Sequence, residues 1–452
     1  MSMMGFASWA ASATMAPMSS PHIEWRDKIL AHAARTNEFV ACGLSIGWEK
    51  AGPAPPEPDL AHLVPNFIEA LRESNRRGTF DSLREDWPPT HAPVIPWLEK
   101  HGRSIPLVRF LDDGSLIARI GSHYEESAKT VHIRGDTVLD LPTVGTFGRS
   151  PDRKYFAFAR ASGIEIREGW TGRRTALCPW PRGTEDVPNG FDVSPFAQHP
   201  TPTRLVPFPG GRRVLLVSGD GIFVLGPNSV RRLLPTLEQL REHYLWLREQ
   251  HPADPLTCSI DMEHGAVSND GTFIAVGEQS SSHLVFDSDL RLVLQVPPAS
   301  EYPHHAVFSA DDAILAMNSC HFYNGSTLGI ATTGLRNGVD ASDVEPFQLE
   351  DGARVYAAVA RNDEFIIGDA SGYVRAFDTT SKYRWQQFIG SSVGDIDLSA
   401  DGRRLAVSTY AGFLSIFHLD AGQQHPYQIG NGNHLEERRW VFWKGERMPL
   451  IW

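Results

Sequence analysis

The chain has 452 residues, 41% hydrophobic and 21% charged, with a formal net charge of −12. That length exceeds what one hydrophobic core fills, so the chain is either multidomain or a repeat architecture. The acidic balance and the lack of any Lys/Arg-rich segment argue against nucleic acid as a main partner. No apolar run is long enough to cross a bilayer as a helix, so no membrane partner is expected.

Met1–Pro21 is rich in small and apolar residues and resembles a signal peptide in texture. It lacks a basic n-region, because the first charged residue is Glu24. The reading taken is a disordered start, 1–21, of a cytoplasmic protein, with a secreted or periplasmic protein as the alternative. Cys42, Cys178, Cys258 and Cys320 stand far apart with no C-x-x-C, which suits a reducing compartment.

"WRDKILAHAARTNEFVA" predicts a helix beginning near His22, and "AGPAPPEPD" is a proline-rich break. From Asp59, a plausible N-cap, Leu60, Leu63, Val64, Phe67, Ile68 and Leu71 recur at helical spacing. Residues 22–103 therefore read as a small helical and irregular N-terminal region.

After residue 100 short β-rich runs take over. Seven similar units emerge, each with apolar strands separated by polar turns, anchored at Asp113, Asp152, Gly210, Asp270, Asp311, Asp363 and Asp401. The separations are 39, 58, 60, 41, 52 and 38 residues. The two longest contain visible interruptions. One is the loop "CPWPRGTEDVPNGFDVSPFAQHPTP". The other is a predicted helix within an insertion at 229–252, with Pro235 in its first turn and Leu237, Leu240, Tyr244 and Leu247 as its apolar stripe.

The S-x-D-G turns at Ser268–Gly271 and Ser399–Gly402, with "SPDR" at Ser150–Arg153 and "SADD" at Ser309–Asp312, resemble the first turn of a WD40-type blade. "VFD" at Val285–Asp287 and "AFD" at Ala376–Asp378 resemble the end of its third strand. The Trp-Asp dipeptide and the Gly-His signature of that family are missing. The chain is thus similar to diverged WD40-like or YVTN-like repeats, which implies an all-β fold, a seven-bladed β-propeller over 104–430. Stacking sheets radially buries faces that one sheet leaves bare. Residues 431–452 would add a closing strand or pack across the join, as would the segment before 104.

Aligned on the turn acid, His264, His305 and Asp395 form one column, six residues upstream of Asp270, Asp311 and Asp401. This places them at the start of innermost strands, near one channel mouth, with Asp261, Glu263 and His304 nearby. They either line a hydrated channel or hold a divalent metal. Cys320 and His321 are adjacent on an expected strand and so point to opposite faces, which disfavours a nucleophile pair. "GEQSSSH" lacks a nucleophile elbow, and "GNGNH" is neither a P-loop nor a dinucleotide fingerprint.

Tyr244 and Trp246 on the inserted helix, and Trp440 and Trp443 near the C terminus, are the candidate partner-binding rings, with core packing as the alternative for the last two. No catalytic residue is assigned and no cofactor is expected. The leading expectation is a non-enzymatic protein–protein interaction scaffold or sensor/assembly subunit of bacterial, cytoplasmic character. The alternative is a propeller hydrolase or lyase with a divalent metal in its channel, held by His264, His305 and Asp395. Oligomeric state is left open.

Overall fold

The computed structural model describes residues 20–336 and 343–452. The expected disordered start lies outside them except for its last two residues; Pro21 already opens a helix. No helix among the described residues is long and apolar enough to cross a membrane.

Seven antiparallel sheets follow one another along the chain. They are blades 1 (107–140), 2 (147–178), 3 (202–234), 4 (264–296), 5 (302–351), 6 (355–388) and 7 (393–441). In each, the four main strands add in chain order from the innermost outward. Second strands such as Leu116–Ile120, Val214–Ser218 and Phe273–Gly277 are buried at every residue. They read as unbroken apolar runs because neighbouring blades cover both of their faces. Phe208, Leu215, Val217 and Ile222 of blade 3 share one core with Val267, Ile274 and Val276 of blade 4. The fold is the expected all-β seven-bladed propeller.

The S-x-D turns are built alike in blades 2, 4, 5 and 7. Ser268 Oγ donates to Asp270 Oδ1 at 2.8 Å and accepts from Phe273 N at 2.9 Å. The same pair of bonds recurs at Ser150, Ser309 and Ser399. The fourth position is left-handed each time, with φ of 64° at Arg153, 73° at Gly271, 58° at Asp312 and 66° at Gly402. Glycine meets that demand without strain. Where Arg153 and Asp312 replace it, Arg153 of blade 2 reaches past blade 1 to blade 7, and Asp312 of blade 5 reaches its neighbour, blade 4. Arg153 Nη1 donates to Leu398 O at 2.8 Å, and Asp312 accepts from Asn269 N at 2.8 Å and Asp270 N at 3.0 Å.

Among the described residues no blade mixes strands from the two ends of the chain. Leu435–Val441 is the fourth strand of blade 7 and Leu450–Ile451 its fifth, while Ile429–Gly430 extends blade 6. The segment entering blade 1 bonds to blade 7 and to the residue that follows its fourth strand. Arg103 N donates to Phe442 O at 3.0 Å and Ile105 N to Thr409 O at 3.1 Å. Blade 7 approaches so closely that a Cβ on Gly394 would lie 2.2 Å from Ile105 O.

The N-terminal region caps this side of the ring with helices α1 (Pro21–Ile46), α2 (Trp48–Ala51), α3 (Val64–Arg77), α4 (Phe80–Asp86) and α5 (Ile95–His101). Trp25, Phe67 and Trp87 share a core with Phe413, Trp443 and Trp452. Two asparagines close the exposed edges of the added strands, where bare N–H and C=O groups invite foreign pairing. Asn37 bonds Gly430 N and Gln428 O at 2.8 and 2.9 Å, and Asn75 bonds Ile451 N and Ile451 O at 2.7 and 2.9 Å. Asp59 does not cap α3: a 3-10 turn, Ala61–Leu63, intervenes, because Leu60 and Leu63 are drawn into the core and the helix starts only after them.

Helix α6 (Leu237–Gln250) stands between blades 3 and 4. Thr236 caps it: Gln239 N donates to Thr236 Oγ1 and Thr236 N to Gln239 Oε1, a capping box. Pro235 therefore precedes the cap and is not in the first turn. Ser229–Leu234 belongs to the outermost strand of blade 3, so the insertion starts at 235 and not at 229.

Candidate functional site: the two mouths of the central channel

The innermost strands line the channel. The S-x-D turns ring one end, the turn mouth, and the connections between blades ring the other, the loop mouth. His264, His305 and Asp395 lie on the innermost strands His264–Val267, Tyr302–Phe308 and Val393–Leu398, so the column aligned on the turn acid falls on equivalent strands. Their surroundings differ.

Asp395 serves the join. Val108 N donates to Asp395 Oδ2 at 2.9 Å, and Arg109 Nη1 pairs with the same oxygen. Two residues on, Phe110 N donates to Asp397 Oδ2 at 2.7 Å, and Arg149 Nη2 donates to Asp397 Oδ1 at 2.6 Å. Innermost strands have one edge that no strand covers. Residues two apart on one strand meet side chains two apart on the next, so two carboxylates take two edge N–H groups. Arg149 Nη1 also donates to Phe110 O at 2.7 Å, which ties blade 2 into the same junction.

Around the turn mouth Arg109, Arg149, Arg153, Arg204 and Arg361 surround a cavity of about 450 Å³ together with Asp395 and Asp397. Burial draws the Arg149 guanidinium down to about 10, still fully protonated at neutral pH. Arg109, Arg149 and Arg204 were not singled out from sequence. The signal was present: an arginine interrupts the apolar innermost run in each of the first three units, "LVRF", "TFGR" and "TPTRLV".

The loop mouth is rich in histidine and tyrosine. His264 Nδ1 donates to Met262 O at 3.1 Å, and His304 Nδ1 to Val355 O at 2.6 Å, since a carbonyl can only accept. His304 Nε2 then accepts from Arg354 Nε at 3.2 Å. His283 Nε2 meets Ser319 Oγ at 3.1 Å, and its ring centre is 5.5 Å from that of His264. His264 Nε2, His305 Nε2 and His283 Nδ1 are buried without a protein partner among the described residues. Burial holds His283 down at about 3 and His304 at about 4, and His264 and His305 well below the ordinary imidazole value. All four are neutral at pH 7. Burial raises the Glu263 carboxyl, which accepts from Thr203 Oγ1 at 2.9 Å. Among the described residues no three His, Cys, Asp or Glu side chains gather closely enough to hold one metal ion.

Of the four aromatic residues considered for partner binding, Tyr244 is 2% exposed and packs on Phe191 at 5.5 Å. Trp443 belongs to the core shared by the helices and blade 7, and Trp440 to the core between blades 7 and 1. Trp246 is 50% exposed, stacked on His243 at 5.9 Å. Cys320 is fully buried while His321 faces outward and pairs with Glu301, so the two diverge.

The class of protein defined by this architecture is the seven-bladed β-propeller. No family model matches the chain, and no curated protein matches it.

Proposed function

We propose that the chain is a non-enzymatic protein–protein interaction scaffold, a WD40-like propeller acting as a sensor or assembly subunit. The observation that carries this reading is α6. Leu240 and Tyr244 fasten the helix to the ring, and Gln239 Nε2 adds a bond to Glu278 Oε1 of blade 4 at 3.2 Å. Leu237, Leu245 and Trp246, each about half exposed, remain outside. An apolar surface on a rigidly held insertion suits docking, where tryptophan contributes most per residue. Affinity capture with wild type and with a Leu245→Asp/Trp246→Asp variant tests it. A stoichiometric protein partner held by the first and released by the second supports the reading; equal capture by both overturns the role of α6.

A second reading, a channel hydrolase or lyase assisted by a divalent metal, draws on the unpartnered Nε2 atoms of His264 and His305. Elemental analysis of protein purified without chelators decides it. A stoichiometric metal lost in His264→Ala and His305→Ala would favour the enzyme.

A further inference from the structure

The innermost strands give the channel two unlike walls. Arg109, Arg149 and Arg204, of blades 1, 2 and 3, are partly exposed and line the cavity. Ala266, Val307 and Ala358, of blades 4, 5 and 6, are partly exposed on the same cavity. In a ring of seven, blades 1–3 stand across the lumen from blades 4–6, so a guanidinium wall faces an apolar one.

Charge on the first wall does not balance. Arg149 is matched by Asp397 and Arg109 by Asp395. Arg204 has no hydrogen bond or ion pair among the described residues; its charged neighbours are Asp395, already committed, and Arg109. The Arg204 nitrogens are not shut off from solvent, so an incoming group can reach them. A guanidinium stays protonated. Arg109, Arg204 and Asp395 together therefore leave an excess of one positive charge.

We propose that the channel binds a small amphiphilic monocarboxylate, with its carboxylate on Arg204 and its apolar body against the alanine and valine wall. A single negative charge fits an excess of one. The planar fork of arginine bonds a carboxylate in bidentate fashion. Covering Val307 and Ala358 adds affinity that a bare anion would lack. A cavity of about 450 Å³ has room for such a molecule. The inference does not depend on docking through α6.

The test uses the whole chain and hexanoate, read by calorimetry and by thermal melting, with hexanol and hexylamine as controls. Wild type is expected to bind hexanoate saturably and to melt at rising temperature with it, and to do neither with the controls. Affinity should rise about fourfold for each methylene from butanoate to hexanoate, as burial of the tail requires. Arg204→Met and Arg204→Gln remove the charge and keep most of the side-chain length. Each should weaken hexanoate at least about tenfold, the loss of one charged hydrogen bond. Neither should lower the melting temperature without hexanoate, a result that a merely structural arginine would not give. Val307→Asn should flatten the dependence on chain length while Arg204 still holds the carboxylate. No saturable binding of hexanoate by wild type overturns the proposal. So does equal binding of hexanol or hexylamine, or undiminished binding of hexanoate in whichever Arg204 variant folds.

Discussion

At the turn mouth each S-x-D unit fixes its own backbone with short-range bonds, and long arginines cross from blade to blade above them. At the loop mouth the groups come from connections of unequal length, and three buried imidazoles there each keep a ring nitrogen unpartnered. The first end is charged and largely paired; at the second the buried imidazoles are neutral. A repeated local motif thus builds a stiff rim that can carry buried charge. Irregular connections build a rim whose polar groups must give up their charge to be buried.

The largest expected effect comes from breaking the paired end. Asp397→Ala would leave the buried Arg149 and the Phe110 N–H without their acceptor. Removing one partner of a buried ion pair costs about 3–5 kcal/mol. Urea unfolding should show that loss, and the Asp397→Ala/Arg149→Met double variant should recover part of it. Equal stability of Asp397→Ala and wild type would show that the helices alone hold the join.

Next comes the turn itself. Ser268 is fully buried, and Ser268→Ala would strand the Phe273 N–H. A buried donor left unsatisfied costs about 1–3 kcal/mol. The same change at Ser399 should cost a similar amount, because the bonds repeat. Unequal losses measured in denaturant would break the claim that the turns act as one device.

The loop mouth should declare itself through pH. His283 titrates near 3 when folded and near 6.5 when unfolded, so between these values the unfolded chain binds the extra proton. Stability is complete above pH 6.5 and falls as pH drops toward 3. Each such ring contributes a slope of about 1.4 kcal/mol per pH unit. His283→Asn should lessen the slope of stability against pH by about that share, measured by denaturation at several pH values. An unchanged slope would mean that the imidazole reaches water in the folded protein.

These contrasts also explain what could be read from the sequence. Ser, Asp and Gly at fixed offsets report a local hydrogen-bond pattern and a left-handed residue in four of the blades, and the strand–turn–strand pattern of the other three completed the blade count. Arg153 and Asp312 obey the same geometry without glycine, which is why their turns looked only related. The join was not legible, because Asp395 meets Val108 and Arg109 from the far end of the chain and nothing local marks that meeting. The start of α3 was misplaced because burial of Leu60 outweighs a capping preference at Asp59. Tyr244 and Trp246 could not be separated by residue type. They lie two apart on a helix, so their side chains leave it in widely different directions, and only the position of the ring beneath decides which is covered.

That separation leads to the smallest expected effect on stability. Tyr244 closes the space under α6 beside Leu240, whereas Trp246 is half exposed and rests only on His243 and His251 of the same insertion. Trp246→Ala should therefore change unfolding free energy by no more than about 0.5 kcal/mol, as surface changes do. Tyr244→Ala should cost several times more, on the order of 3 kcal/mol for a buried aromatic. If the insertion is a docking element held by one face and used by the other, only Trp246→Ala will release a partner while the melting curve stays in place. Should Trp246→Ala melt early, the indole is holding the insertion to itself, and α6 would lose its exposed tryptophan as a site for docking.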